Sequence, residues 1–368
     1  MTLSHFSDNV TDAQDSYRQL LEESIISHLG FCALRGWTPA DLRHEFSADI
    51  DPLLFHALPE IAYSCSDEMY TLWVNGTRAA ETSHLPVMTL EKILTELPKL
   101  STLPDWAMLA ELHALDNQDT SPMTPAQAKA HHRITALLKK AESTNFEEEA
   151  EALILKAETL RQQYRIESLL INSYDQDVQA RSSTIRASRV YLEAPWIRHQ
   201  YKLLNAIARV HSSEALLITK SGICTLFGEQ DDVAHIIDLF NSLNRQRAHF
   251  MKTSAGARIA QLNGETSSYR RSFMISYASQ ISRLLISAKE DAFNELAGQA
   301  PLAHSAIVPV LENRSVRSKE ALQETFPNMR TMTFKSTNRR GIIDGFNAAN
   351  ESHLGGESAS LEDSTFMF

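Results

Sequence analysis

Basic side chains cluster in two stretches of the sequence, and aromatic residues lie among those of the first stretch. Guanidinium groups bind phosphate through paired hydrogen bonds, and aromatic rings stack on nucleobases, so this pattern is typical of polyanion-binding proteins. The aromatic residues are Tyr269, Phe273 and Tyr277. The candidate polyanion-binding residues are Arg245, Arg247, Arg258, Arg270, Arg271, Lys335, Arg339 and Arg340, with Lys252 and Arg283 near them in the sequence.

Two other interpretations of these residues remain open at the level of sequence. Phe273, Tyr277 and Leu284 also fit one apolar face of a helix, and exposed arginines are common on solvated surfaces. The basic residues could also dock against an acidic part of the same chain, which would mask them from outside partners.

The sequence does not indicate a metal site or a disulfide. Helical metal sites usually carry two histidines four positions apart, and no two of the fourteen histidines lie three to five positions apart. The cysteines Cys32, Cys65 and Cys224 are far apart and form no C-x-x-C pair, which favours single thiols. We therefore expect no bound metal and no cofactor.

Signatures of common enzyme classes are not found in the sequence. It contains no G-x-x-x-x-G-K-[ST] phosphate loop and no G-x-S-x-G nucleophile elbow. Acidic residues at 147–151 and at Asp231 and Asp232 fit the first turns of helices, where the helix dipole stabilises carboxylates. A hydrolase with a carboxylate site near Glu148 or Asp231 stays an alternative, but the sequence favours a protein that is not an enzyme.

Hydrophobic periodicity predicts an α+β fold that is mostly helical. Thr38, followed by Pro39 and Asp41, is the predicted N-cap of a short helix. A β-α-β-β-α module is predicted from a strand at 185–192, a helix at 196–209, a hairpin of strands at 215–219 and 223–227, and a helix at 231–250. Further predictions are a loop at 253–268, helices at 269–297 and 315–325, a strand at 329–334 and a short helix from Gly341.

Small residues mark one face of that last helix. Gly341, Gly345 and Ala349 are spaced four apart, so they share one side of a helix. The spacing favours close packing against another helix over an anion site at the helix N-terminus.

Changes of composition divide the chain into segments of different character. Proline and polar residues concentrate at 116–126, the best candidate linker. The predicted organisation is an acidic helical domain at 1–115, the linker at 116–126, a helical hairpin at 127–172, a basic α+β domain at 181–298, a C-terminal segment packing on it at 299–350 and a disordered tail at 351–368.

Charge is distributed unevenly along the chain. The net charge is −11, yet residues 1–120 carry 6 Lys and Arg against 19 Asp and Glu, whereas residues 181–350 carry 22 against 14. An acidic module therefore precedes a basic one, and the average hides a potential binding surface for polyanions.

The predicted hairpin contains an A-E-S-T-N turn, a following E-A-E-A helix and a closing Y-x-I. The motif residues are Lys140, Ala141, Glu142, Ser143, Thr144, Asn145, Glu149 and Ala150. This motif resembles an uncharacterised bacterial and phage family known only as a domain of unknown function. Looser similarity to longer actinobacterial members covers residues 36–42, 227–233, 269–273 and 341–349. The resemblance implies an organisation and transfers no catalytic residue.

These observations together predict a non-enzymatic cytoplasmic protein that contacts DNA, RNA or another polyanion through its basic module. The alternatives are the hydrolase and a protein-protein adaptor that binds a basic partner through the acidic N-terminal module. No membrane partner is expected, because no apolar run approaches the roughly 18 residues that a spanning helix needs.

Overall fold

The computed structural model describes residues 4–78, 85–109, 156, 185–299, 301–352 and 354. The chain divides into two compact units, Met1–Thr120 (unit 1) and Ser121–Phe368 (unit 2). The predicted linker at 116–126 and hairpin at 127–172 lie outside the described residues, Lys156 excepted.

All regular secondary structure in the described part of unit 1 is helical. Thr38 accepts a hydrogen bond from the Asp41 amide, and the Asp41 carboxylate accepts one from the Thr38 amide at 2.7 Å, which confirms the predicted cap. The helices are α1 (Ser4–Leu34), α2 (Pro39–Phe46), α3 (Asp51–His56), α4 (Leu58–Ser64), α5 (Asp67–Gly76) and α6 (Val87–Glu96), with 3-10 turns at Ala48–Ile50 and Leu97–Lys99.

Two buried tryptophans join the segments of unit 1. Trp73 of α5 donates its indole N–H to the carbonyl of Trp37 at 2.9 Å, and Trp37 donates to the carbonyl of Ser101 at 2.6 Å. Both rings are fully buried. Each indole thus fills the core while its polar atom is satisfied by the backbone of another segment.

From residue 185 onward, unit 2 contains the β-α-β-β-α module that the sequence predicts. Strand β1 (Arg186–Tyr191), helix α7 (Ile197–Val210), strands β2 (Glu214–Ile218) and β3 (Ile223–Gly228) and helix α8 (Gln230–Thr253) follow in that order. The three strands form one antiparallel sheet in the order β1-β3-β2, with Glu214 opposite Phe227 and Arg186 opposite Gly228. The predicted fold class, α+β and mostly helical, is confirmed.

The remaining helices that the structure describes in unit 2 pack around the module. They are α9 (Ala255–Leu262), α10 (Thr266–Gln299), α11 (Pro301–Thr325) and α12 (Arg339–Asn350). The core of the unit is formed by apolar residues of the sheet, α7, α8 and α10, with Ala348 and Ala349 of α12 among them. No helix in the described parts of the chain combines the length and apolar character required to span a membrane.

The small-residue face of α12 packs against α10, as predicted. A Cβ atom at Gly341 would clash with the carbonyl oxygen of Tyr269, and one at Gly345 would clash with that of Phe273. Glycine therefore lets the two helix backbones approach more closely than any side chain allows. The packing interpretation of this face is confirmed, and it fixes the position of the basic N-terminus of α12.

Two secondary-structure predictions for unit 2, the strand at 329–334 and the loop at 253–268, are wrong. Residues 329–334 form no strand, because Met332 and Phe334 contact side chains of α7 and the segment pairs with no strand. The predicted loop at 253–268 contains helix α9, whose Ala-rich sequence favours a helix despite Gly256. At the start of the segment predicted as a disordered tail, Ser352 and Leu354 are buried. The residues after 354 lie outside the described part of the chain.

Candidate polyanion-binding face of unit 2

Hydrogen bonds to one serine bring the two basic stretches of the sequence together. Ser272 of α10 is buried, and its hydroxyl oxygen accepts from the backbone amides of Thr337 at 3.1 Å and Asn338 at 2.9 Å. Asn338 in turn caps α12 by accepting from the Gly341 amide at 2.9 Å. The segment that carries the second basic cluster is therefore held against the first half of α10.

Asp344 of α12 joins the start of α9 to the same region. Its carboxylate accepts from the Gly256 amide at 3.1 Å and from the Tyr269 hydroxyl at 2.7 Å. The Arg340 side chain also reaches Gly256, with its Cγ 3.1 Å from the site of a Cβ there. Six exposed cations consequently surround one junction of helices; this basic face consists of Arg258, Arg270, Arg271, Lys335, Arg339 and Arg340.

The two candidates on α8 differ in their surroundings. Arg245 is exposed, whereas only 5% of Arg247 is accessible to solvent. Burial lowers the pKa of Arg247 to about 10, against a weaker opposing effect of Tyr277. Arg247 therefore cannot act as a surface cation.

The aromatic residues predicted to stack on bases are core residues. Tyr269, Phe273 and Tyr277 are each at most 1% exposed, and Phe273 and Tyr277 stack on one another with ring centroids 6.2 Å apart. Their spacing places them on the buried face of α10, which was the alternative interpretation. The predicted stacking role of these three rings is wrong.

A different aromatic group lies on the surface beside basic residues. Trp196, at the start of α7, makes an edge contact with His199 at 5.5 Å, and His199 makes another with Phe334 at 5.8 Å. All three are partly exposed, and we call them the aromatic group. Lys202 lies over the Phe334 ring at 5.6 Å, and Arg198 is exposed on the same helix.

Sequence reasoning missed the aromatic group. Two of its members, Trp196 and His199, and the neighbouring Lys202 are spaced three apart, and this helical spacing could have indicated a shared face. Phe334 had no such signal, since it comes from a distant segment that was predicted as a strand.

His199 lies close to three positively charged arginines. Burial lowers the pKa of His199, and the charges of Arg198, Arg271 and Arg247 lower it further. These arginines belong to α7, α10 and α8 respectively. The aromatic group and the basic face therefore share one electrostatic environment, in which an anion is favoured and an additional proton is not.

The described carboxylates near the candidate hydrolase site are engaged in ion pairs. Glu229 and Asp232 are buried, and Arg314 of α11 approaches them at 3.7 Å and 3.4 Å. Glu148 and the side chain of Asp231 lie outside the description. Within the described residues, no group of three or more His, Cys, Asp and Glu side chains is placed to hold a metal ion.

Comparison with known proteins adds a match to one short segment. Residues 129–168 match the model of a family described as a protein of unknown function (DUF2786), which confirms a resemblance to an uncharacterised domain family. No curated protein and no solved structure matches the chain. The matched segment contains the motif residues 140–150 and lies outside the described structure, Lys156 excepted.

Proposed function

We propose that unit 2 binds nucleic acid through the basic face and the aromatic group, and that it prefers single strands. The observation that carries the proposal is the junction at Ser272, where two basic stretches separated in sequence form one exposed surface. Phosphates neutralised at such a surface release condensed counterions, which drives association.

The aromatic group favours nucleic acid over other polyanions. Trp196, His199 and Phe334 are partly exposed rings at the edge of a cationic surface. Bases of a single strand can stack on such rings, whereas the bases of a duplex are already stacked on each other. A non-enzymatic, cytoplasmic binding protein accords with this chemistry, and its origin in a bacterial or phage-related system stays a prediction.

The test is titration of the full-length protein with labelled single-stranded DNA and RNA and with the matched duplexes at several salt concentrations. Six phosphate contacts predict a slope of log affinity against log salt of about −4 for a single strand. Arg270→Glu combined with Arg271→Glu should weaken binding more than about tenfold and make the slope shallower.

Lys319→Glu is the matched control for charge reversal. Lys319 is exposed on α11 next to Ser318, whose hydroxyl donates to the carbonyl of Ser212 just beyond the C-terminus of α7. The aromatic group lies at the other end of that helix, about 20 Å away. Binding that is absent, independent of salt, or equally weakened by Lys319→Glu would refute the proposal.

A protein partner for the acidic unit 1 stays a prediction.

A further inference from the structure

Arg247 is a buried guanidinium whose hydrogen-bonding capacity is only partly used. It lies on α8, and only 5% of the residue is exposed. Its Nε donates to Asn244 Oδ1 at 3.0 Å, while its Nη1 is buried without a hydrogen-bond partner among the described residues. A buried donor left in this state is costly, so its retention needs an explanation.

The charge of Arg247 is not balanced in the described part of the chain. No carboxylate there forms an ion pair with it, and burial lowers its pKa to about 10. Its charge instead adds to those of Arg198 and Arg271 around His199. Buried charges are normally paired, so this region is complementary to an anion.

Neighbouring amides hold Arg247 in a defined orientation. Gln200 is buried and donates to the carbonyl of Glu193 at 2.6 Å, and its own oxygen accepts from Asn244 Nδ2 at 3.3 Å. This chain directs the Asn244 oxygen to Nε of Arg247. The guanidinium is thus anchored at Nε, and the buried Nη1 has no acceptor among the described residues.

We infer that Arg247 binds the terminal phosphate of a nucleic-acid strand that lies on the basic face, an inference that rests on the proposed function. The site, which we call the phosphate pocket, consists of Arg247, Asn244, Gln200 and His199. Guanidinium groups suit phosphate because their planar donors match its oxygens. An internal phosphodiester carries a sugar on both sides, whereas a terminal phosphate has one free side from which its oxygens approach a buried donor, and it brings up to two negative charges.

The experiment compares oligonucleotides of one sequence that carry a 5′-phosphate, a 3′-phosphate or hydroxyl groups at both ends, titrated into the full-length protein. One phosphorylated end should bind about tenfold more tightly than the hydroxyl form, since one charge-assisted hydrogen bond changes an equilibrium constant by about that factor. Arg247→Met should abolish this preference, and Arg247→Lys, which keeps the charge but not the planar donors, should retain only part of it.

Thermal unfolding with inorganic phosphate as the probe separates a binding role from a structural one. Phosphate should raise the Tm of the wild type and leave that of Arg247→Met unchanged. In phosphate-free buffer Arg247→Met should unfold no earlier than the wild type, because it removes an unbalanced buried charge. A large loss of stability in both Arg247→Met and Arg247→Lys would identify Arg247 as structural and overturn the inference.

The outcomes distinguish failure of the pocket from failure of the proposed function. Equal, salt-sensitive binding of phosphorylated and hydroxyl ends would overturn the phosphate pocket and leave the nucleic-acid proposal standing. If no oligonucleotide binds, the proposed function fails, and so does the inference that the ligand is the terminal phosphate of a strand. If inorganic phosphate then raised the Tm of the wild type but not that of Arg247→Met, the phosphate pocket would stand as a site for free phosphate.

Discussion

Arg35 and Arg43 of unit 1 use their hydrogen-bond donors differently from Arg247 of unit 2. In unit 1, Arg35 donates to the carbonyls of Leu100 at 2.7 Å and Leu97 at 3.1 Å, and Arg43 pairs with the Asp51 carboxylate and donates to the carbonyl of Gly76 at 2.8 Å. In unit 2, the more deeply buried Arg247 has one neutral partner at Nε. The guanidinium groups of Arg35 and Arg43 thus connect segments of the fold, whereas Nη1 of Arg247 has no acceptor among the described residues.

A similar contrast exists within unit 2. Arg314 of α11 pairs with Glu229 and Asp232, which join that helix to the start of α8. The cations of the basic face are exposed instead, and the hydrogen bonds that position them come from Ser272, Asn338 and Asp344. These polar residues hold the helices in place and leave the cations of the basic face accessible to solvent.

The largest expected effect is a difference in stability between two arginine-to-methionine variants, Arg43→Met in unit 1 and Arg247→Met in unit 2. Arg43→Met leaves the Asp51 side chain, only 12% exposed, without its cationic partner and should destabilise unit 1 by about 3 kcal/mol. Arg247→Met orphans only a neutral amide oxygen and should change the stability of unit 2 by less than about 1 kcal/mol. Hydrogen exchange, read separately in peptides of α5 and β3, measures both free energies of opening.

The wild type and Arg43→Lys serve as references for that comparison. The lysine variant keeps the charge near Asp51 and should recover part of the lost stability, since only the second hydrogen bond is missing. If Arg247→Met destabilised unit 2 as much as Arg43→Met destabilises unit 1, the contrast between the two arginines would not hold.

A smaller effect is expected where α12 approaches α10. Gly345→Ala places a Cβ against the Phe273 carbonyl, and overpacking of this kind costs about 2 kcal/mol. Because α12 carries Arg339 and Arg340, the variant should also weaken oligonucleotide binding, whereas unit 1 should be unaffected.

Asn347→Ala is the matched control for that variant, since it alters an exposed position of the same helix. Guanidinium chloride unfolding and the salt dependence of binding measure the two effects. Wild-type binding by a clearly destabilised Gly345→Ala would show that the basic face does not depend on α12.

Local signals explain which features could be predicted from the sequence. The cap at Thr38, the β2–β3 hairpin with Gly222 in its turn and the packing face at Gly341 and Gly345 each depend on neighbours a few positions apart. The aromatic group depends on residues that are distant in the sequence. Met332, two positions before Phe334, accepts a hydrogen bond from Arg198, which lies 134 positions earlier. No local spacing indicates that Phe334 lies beside His199 or that Arg247 is buried, so these two features emerge only from tertiary structure.

The smallest expected effect concerns the pH dependence of binding. The pKa of His199 in the free protein lies below its usual 6.5, because of burial and then the charges of Arg198, Arg271 and Arg247. A bound phosphate beside it favours the charged imidazolium, so binding takes up protons and affinity should rise as the pH falls through about 6.5. We expect a gain of about threefold between pH 7.5 and 6, where full uptake of one proton would change affinity about tenfold per pH unit.

His199→Gln removes the titrating group while keeping a polar side chain, so its affinity should vary less over that range. His56→Gln, at an exposed position of unit 1, is the control and should behave as the wild type does. A pH dependence that is unchanged in His199→Gln would mean that the bound phosphate does not reach the imidazole. The basic face would then act without the aromatic group, and the preference for single strands would lose its structural basis, whereas Arg247 would still be tested independently by the phosphorylated ends.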